Sequence, residues 1–188
     1  QMWPWELYDM LNVAAAVERA RDFDIIHVEA GYYPISLAFS RLSPVPVVQT
    51  VHHAPSAAEL SLWRRYPEAP FVAISQEQAR LLQGLNVVSV VLHAIDLSRF
   101  AYRDRPDDYL LFLGRFTEGK GVLQAIDVAK RRSMKLLLAA AETDYYRGQV
   151  APYVDGQQII YVGEVDSEAK VRLCGGARAL LYPVQAGE

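Results

Sequence analysis

Short apolar runs alternate with amphipathic stretches along the whole chain. The apolar runs are rich in Val, Ile and Leu and are bounded by Gly, Pro or charged residues, which is typical of buried strands. The stretches between them carry apolar residues at helical spacing and many good helix formers. The pattern predicts strands within 24–31, 45–53, 69–75, 86–95, 109–114, 135–141, 158–163 and 179–184. It predicts helices within 5–23, 33–42, 57–66, 76–85, 120–132, 143–154 and 167–177.

A strand followed by a helix, repeated about every 20 to 25 residues, predicts parallel sheets covered by helices. The rhythm breaks once, in the charged segment DLSRFAYRDRPDD between Asp96 and Asp108. We therefore predict an α/β protein with two doubly wound, Rossmann-like parallel-sheet units, both partial. The first unit is expected over 1–96, a linker over 97–108 and the second unit over 109–188.

The stretch LLFLGRFTEGKGVLQA combines a predicted strand, three glycines and two isolated cations. Gly114-Arg115 leaves the strand, and Lys120-Gly121 opens the next predicted helix. In doubly wound folds, the carboxyl ends of strands and the amino ends of helices form the ligand crevice. Free backbone N–H groups at a helix amino end suit phosphate, to which Arg adds a two-pronged contact and Lys a point charge. The stretch therefore predicts an anion site.

Two other phosphate-binding motifs do not match this stretch. A P-loop needs Ser or Thr after Gly-Lys to bind Mg²⁺, and here Gly119-Lys120 is followed by Gly121. A dinucleotide fingerprint, Gly-x-Gly-x-x-Gly, is absent from the sequence. A turn whose glycines only shape the backbone stays open on this motif alone.

The segment LLFLGRFTEGKGVLQAIDVAKR resembles the donor-binding segment of family-4 retaining glycosyltransferases, which have the GT-B fold of the glycogen-phosphorylase-like superfamily. Further resemblances follow in the order that the family has. They are the first-strand segment DIIH, the strand VVQTVHH, the segment FVAISQEQA, the interdomain segment VVLHAIDLSRF, the segment IIYVGEVDSEAKVRL, and PVQAGE at the start of a Glu-x7-Glu motif.

The resemblance assigns roles to residues by position. It implies that Gly114, Arg115, Lys120 and Gly121 hold the diphosphate of a nucleotide-sugar, and that Gly163 and Val165 lie near the nucleotide base. It also implies catalytic roles for His52, which would contact the transferred sugar or its leaving phosphate, and for Glu188, the first Glu of the motif.

The sequence departs from the family pattern at several points. Glu29 follows the first strand where a polar residue or His is frequent, and His93-Ala94 replaces the usual Asn-Gly. The second Glu of the motif would fall beyond Glu188, and the family's amino-terminal glycine loop would precede Gln1. We therefore expect a fragment that lacks both termini and is inactive alone.

Single residues outside the main motif have competing interpretations. His27 is predicted to be structural, His53 is less favoured than His52 because strand neighbours face opposite ways, and His93 is undecided. Ser75 is predicted to cap the following helix. Cys174 is predicted to be a small core residue.

Composition narrows the classes of partner. A net charge of −3 gives no global field for nucleic acid or anionic membranes. The single cysteine excludes an internal disulfide and fits a reducing compartment, so a cytoplasmic location is expected. No apolar run reaches the roughly 20 residues of a membrane span, although peripheral membrane association is left open. Because no metal-ligand spacing occurs, we expect no metal and no cofactor.

The resemblance predicts a retaining glycosyltransferase that moves a sugar from a nucleotide-diphosphate donor, such as a UDP-sugar, to an acceptor. The acceptor is open among a small molecule, a glycan and a lipid. Rival hypotheses are a non-catalytic nucleotide- or sugar-binding module on the same scaffold and an inert fragment.

Overall fold

A computed structural model gives the fold of the chain and describes residues 4–29, 33–100 and 102–185. The chain forms two compact units, with the division between Ala94 and Ile95. Each unit contains a four-stranded sheet in which every pair of neighbouring strands is parallel. The predicted α/β class with two doubly wound parallel-sheet units is confirmed.

The sheet of the first unit has the strand order β1-β2-β3-β4, so each strand pairs with the one that follows it along the chain. Helices separate the strands, as a parallel sheet requires. In chain order the elements are α1 (Pro4–Glu18), β1 (Ile26–Val28), α2 (Tyr33–Ser40), β2 (Val47–Val51), α3 (Ala57–Trp63), β3 (Phe71–Ala73), α4 (Gln76–Leu81) and β4 (Val87–Val90).

The sheet of the second unit has the order β7-β6-β5-β8. The chain moves outward from β5 to β6 and β7 and then returns to place β8 on the other side of β5. In chain order the elements are β5 (Tyr109–Leu113), α5 (Val122–Arg131), β6 (Lys135–Ala139), β7 (Ile159–Gly163), α6 (Ser167–Gly176) and β8 (Ala179–Leu180).

Polar side chains set several helix starts. Ser56 and Glu59 form a capping box at the start of α3, with the Ser56 Oγ accepting from the Glu59 N–H at 3.2 Å. The Ser75 hydroxyl accepts from the N–H of Gln78, which confirms its predicted capping role. The helix α4 ends at Leu81 rather than at 85 as predicted, since Gly84 takes a left-handed conformation with φ of 89° that stops the helix.

The first sheet buries mainly alternate residues, with Thr50 of β2 as an exception. Val47, Gln49 and Val51 of β2 and Phe71 and Ala73 of β3 are buried. The residues between them face the opposite side, because strand side chains alternate. The predicted strand within 24–31 was expected to be buried, and this is wrong for His27, which is exposed. The outer strand β4 has no buried residue.

The core of the second unit lies between α5 and the sheet. Val122, Ala125, Ile126 and Ala129 form the apolar face of α5 and are buried against Leu136 and Leu138 of β6 and their neighbours. The aromatic rings of Phe112, Phe116, Tyr146 and Tyr161 stack in a continuous cluster. The predicted helical region within 143–154 is confirmed as one π-helical segment, Tyr146–Val150, and one 3₁₀ turn, Ala151–Tyr153.

Candidate functional site

The strand order of the second unit creates a switch point beside β5. The chain leaves β5 toward β6 on one side, and β8 lies on the other side. In open parallel sheets, ligands bind at the carboxyl ends of strands where the order reverses. The glycine-rich turn begins here, because Gly114 directly follows β5 and its N–H donates to the carbonyl of Ala139 at 3.3 Å.

The turn between β5 and α5 is fixed by the segment that follows β8. A 3₁₀ turn, Glu118–Lys120, leads to Gly121, which has φ of 71° and begins α5. A Cβ at Gly121 would collide with the carbonyl oxygen of Pro183. The N–H of Gln185 donates to the carbonyl of Gly119 at 2.8 Å. The glycine at 121 is therefore required by both backbone conformation and space.

Arg115 lines a cavity of about 450 Å³ at the carboxyl ends of β5, β6 and β7. Lys170 of α6 lines the same cavity, so two cations and one carboxylate, Glu164, meet here. Ala139, Ala140 and Ala141 form its small-residue floor. The cavity has the charge and the small walls that a phosphorylated ligand needs.

Lys120 has a different environment from Arg115. Its Nζ lies 5.3 Å from the ring centroid of Tyr182, within cation–π range. Among the described residues, the lining of the Arg115 cavity does not include Lys120. Gly114 is close to the same ring, since a Cβ there would meet Tyr182 Cε2 at 3.4 Å. The structure therefore gives Arg115 and Lys120 different neighbours, the cavity residues for Arg115 and Tyr182 for Lys120.

The two residues expected near the nucleotide base lie at the end of β7 and in the turn that follows it. Gly163 ends β7 with φ of 81°, and its carbonyl accepts from the N–H of Ala140 at 3.0 Å. Val165 lines the Arg115 cavity. The turn after β7 thus brings Val165 to the same edge of the sheet as Arg115.

A second cluster lies at the carboxyl edge of the first sheet. Glu29, His52 and His93 follow β1, β2 and β4, and parallel strands bring these ends to one edge. All three line an open cavity of about 360 Å³, which lies on the sheet face opposite the core of the first unit. His27 and Thr50 lie one step earlier on this face and line the same cavity.

The carboxylate of Glu29 connects two histidines. Its Oε2 contacts Nε2 of His52, and its Oε1 lies 2.9 Å from Nε2 of His27. The hydrogen bond from His52, opposed by slight burial and supported by His27 and Thr50, holds the pKa of Glu29 below its ordinary value. Glu29 is therefore ionised at neutral pH.

The backbone beside His52 is held by hydrogen bonds from a side chain of α4. The buried side chain of Gln78 accepts from the N–H of Ile74 at 2.8 Å and donates to the carbonyl of His53 at 3.1 Å. His53 itself contacts Glu59 at 2.8 Å and packs edge-on against Trp63. His52 and His53 thus have separate partners on separate elements.

Glu188, the other candidate catalytic residue, lies outside the described residues. Within residues 4–29, 33–100 and 102–185, no group of three or more His, Cys, Asp or Glu side chains could hold a metal ion. In the same part of the chain, no helix has the length and apolar character to cross a membrane.

Two solved structures are similar to the chain. AviGT4, a glycosyltransferase involved in avilamycin A biosynthesis, matches with a TM-score of 0.66 and 22% sequence identity, over 95% of this chain and 50% of AviGT4. TarM matches with a TM-score of 0.67 and 10% identity, over 93% of this chain and 39% of TarM. The chain thus spans half or less of these neighbours. No protein-family model and no curated protein sequence matches it.

These likenesses define the fold as that of GT-B glycosyltransferases. The GT-B fold that the resemblance implied is confirmed. Membership of family 4 and the roles of single residues stay predictions.

Two candidate site residues were missed by sequence reasoning. Lys170 joins Arg115 only because α6 follows β7, which pairs with β6 two strands from Gly114. Glu29 was noted as unusual, yet its contact with His52 depends on the pairing of β1 with β2. The signal for Glu29 was a carboxylate directly after a strand; Lys170 gave no local signal.

Proposed function

We propose that the chain belongs to a retaining glycosyltransferase that transfers a sugar from a nucleotide-diphosphate donor to an acceptor hydroxyl. The observation that carries the proposal is the Arg115 cavity at the strand-order reversal, next to the glycine-rich turn that opens α5. The GT-B fold supports it.

The second unit would bind the donor. Arg115 and Lys120, with the N–H groups at the start of α5 near Gly121, would hold the diphosphate. Gly163 and Val165 would lie near the base. Lys170 would add charge to the Arg115 cavity.

The transfer exchanges one bond for another at the sugar. The bond between the anomeric carbon and the β-phosphate oxygen breaks, and the nucleotide diphosphate leaves with the electron pair. The acceptor oxygen bonds to the same carbon and its proton goes to the departing phosphate. Cations that face the β-phosphate stabilise the charge as it develops. His52, and Glu188 where the donor sugar binds, are the proposed catalytic residues.

Calorimetric titration of the chain with UDP and with GDP tests the donor site. Arg115→Ala should weaken binding about tenfold or more, because a charge-assisted two-pronged contact is lost. Arg131→Ala, which removes an exposed arginine of α5 paired with Asp127, is the matched control and should bind as wild type. Absence of binding, or equal binding by Arg115→Ala, would remove the donor site.

An activity assay distinguishes an enzyme from a binding module. The full-length natural protein is incubated with UDP- and GDP-sugars, and release of the nucleotide is measured. His52→Ala should slow release while leaving UDP binding unchanged. Binding without release in any donor and acceptor mixture would favour the non-catalytic module.

A further inference from the structure

Two residues of the first unit that depart from the family pattern, Glu29 and His93, contact His52. The Glu29 carboxylate reaches Nε2 of His52, and the His93 ring stacks on the His52 ring with centroids 5.4 Å apart and planes 8° apart. We propose that Glu29 and His93 are positioning residues that hold His52 in one tautomer and one ring orientation. This inference rests on the proposed function of His52.

Glu29 decides which ring nitrogen of His52 carries the proton. An ionised carboxylate can only accept hydrogen bonds, so its partner Nε2 must be the protonated nitrogen. In the neutral ring, Nδ1 is then the acceptor. The lowered pKa of Glu29 supports this arrangement, because the carboxylate stays ionised throughout the neutral range.

His93 restrains the ring of His52 in the other direction. A contact in the ring plane, such as that from Glu29, leaves the ring able to tilt about the bond to Nε2. The nearly parallel His93 ring covers one face of His52 and opposes that tilt. The in-plane contact from Glu29 and the face contact from His93 together define one ring orientation.

Glu29 is itself held in place. His27 contacts its second oxygen at 2.9 Å, and the Thr50 hydroxyl lies 2.6 Å from Nε2 of His27. Since His27 and Thr50 lie on the paired strands β1 and β2, the carboxylate is fixed to the sheet. The sheet, rather than the loop, thus sets the geometry at His52.

The consequence for transfer is a fixed hydrogen-bond acceptor. Nδ1 of His52 would accept from a hydroxyl of the sugar and orient it, with no proton passing to the protein. Misplacing such a group by a fraction of an ångström to an ångström costs about 10- to 100-fold in rate. Glu29→Gln, which offers an amide donor in place of one oxygen, should cost this much in kcat with little change in UDP affinity.

Side-chain ¹⁵N NMR of histidine-labelled protein reports the tautomer directly. In the wild type at pH 8, His52 should be protonated at Nε2, and Glu29→Gln should shift it toward a mixture of tautomers. Glu59→Gln is the matched control, because Glu59 contacts Nε2 of the adjacent His53 at 2.8 Å and Gln preserves a capping box. The control should leave the His52 signals and nucleotide release unchanged.

His93→Ala supplies a second variant. It should keep the Nε2 tautomer, since Glu29 remains, but slow nucleotide release, since the ring can tilt. An unchanged His52 tautomer in Glu29→Gln would overturn the inference whatever the activity. A tautomer shift in Glu29→Gln with full activity in His52→Ala would instead remove the proposed role of His52, and with it the positioning role.

Discussion

The α-carbon of Gly121 faces the carbonyl oxygen of Pro183, and the space between them does not admit a methyl group. Gly121 also has φ of 71°, in the left-handed region. The start of α5 and the segment after β8 are therefore in backbone contact, although more than 60 residues separate them in the chain.

Gly121→Ala should destabilise the second unit more than its backbone conformation alone requires. A left-handed Ala costs about 1–2 kcal/mol, and displacing the Pro183 backbone adds roughly 1–3 kcal/mol. Gly156→Ala is the control, because Gly156 has the same φ of 71° with nothing within 4 Å of the added Cβ. Chemical denaturation should give the larger loss at Gly121; equal losses would contradict the contact.

Ser36→Ala should destabilise the first unit by about 1–3 kcal/mol, the cost of leaving a buried polar group without its hydrogen bond. The Ser36 hydroxyl donates to Oε1 of Gln49 at 2.6 Å, and both side chains are fully buried. Ser89→Ala, at an exposed position of β4, is the control. Combining Ser36→Ala with Gln49→Leu should recover part of the loss, and a lack of recovery would show that the pair is not the cause.

The strands and helices could be predicted from short stretches of sequence, because buried strands need apolar runs and helices need caps. The cap residue Ser75 and the apolar face of α5 are examples in which the local sequence was enough to predict the position in the structure. Candidate site residues could be predicted only where they lie within a single turn, as Gly114 and Arg115 do. Contacts such as that between Lys120 and Tyr182 depend on which strand lies beside β5, and strand order is not encoded within any one segment.

Glu29 should make the first unit sensitive to acid. Its pKa is lowered below the ordinary 4.5 in the folded state, chiefly by the hydrogen bond from His52. Its contribution is therefore present above pH 4.5 and is lost as the pH falls through the lowered folded value. Thermal unfolding from pH 6 down to about 3 should show a steeper loss in wild type than in Glu29→Gln.

The control for this experiment is Glu77→Gln, which removes an exposed carboxylate of α4 that pairs with Arg80. Its pH dependence should follow that of the wild type more closely. If Glu29→Gln and the wild type lose stability in parallel between pH 5 and about 3, the contact with His52 does not persist in solution.

Lys170→Ala tests which cation shares the ligand with Arg115. Because Lys170 lines the Arg115 cavity while Lys120 lies against Tyr182, Lys170→Ala should weaken UDP binding at least as much as Lys120→Ala. A severalfold loss is expected for an exposed phosphate contact. Lys130→Ala, which removes a lysine of α5 stacked on Tyr153, should leave the affinity unchanged. Loss in Lys120→Ala alone would place the diphosphate beside Lys120 and Tyr182 rather than in the Arg115 cavity.

The buried clusters of the two units have no residue in common within the described ranges: one is built around Trp63 and Phe71, the other around Phe112 and Phe116. A compound that binds only the folded form of one unit stabilises that unit. In a scanning calorimeter, nucleotide should raise the transition of the second cluster, and an acceptor bound near His52 that of the first. A compound library could be screened by recording which of the two transitions each compound raises. Such a screen would distinguish donors from acceptors before any reaction is known.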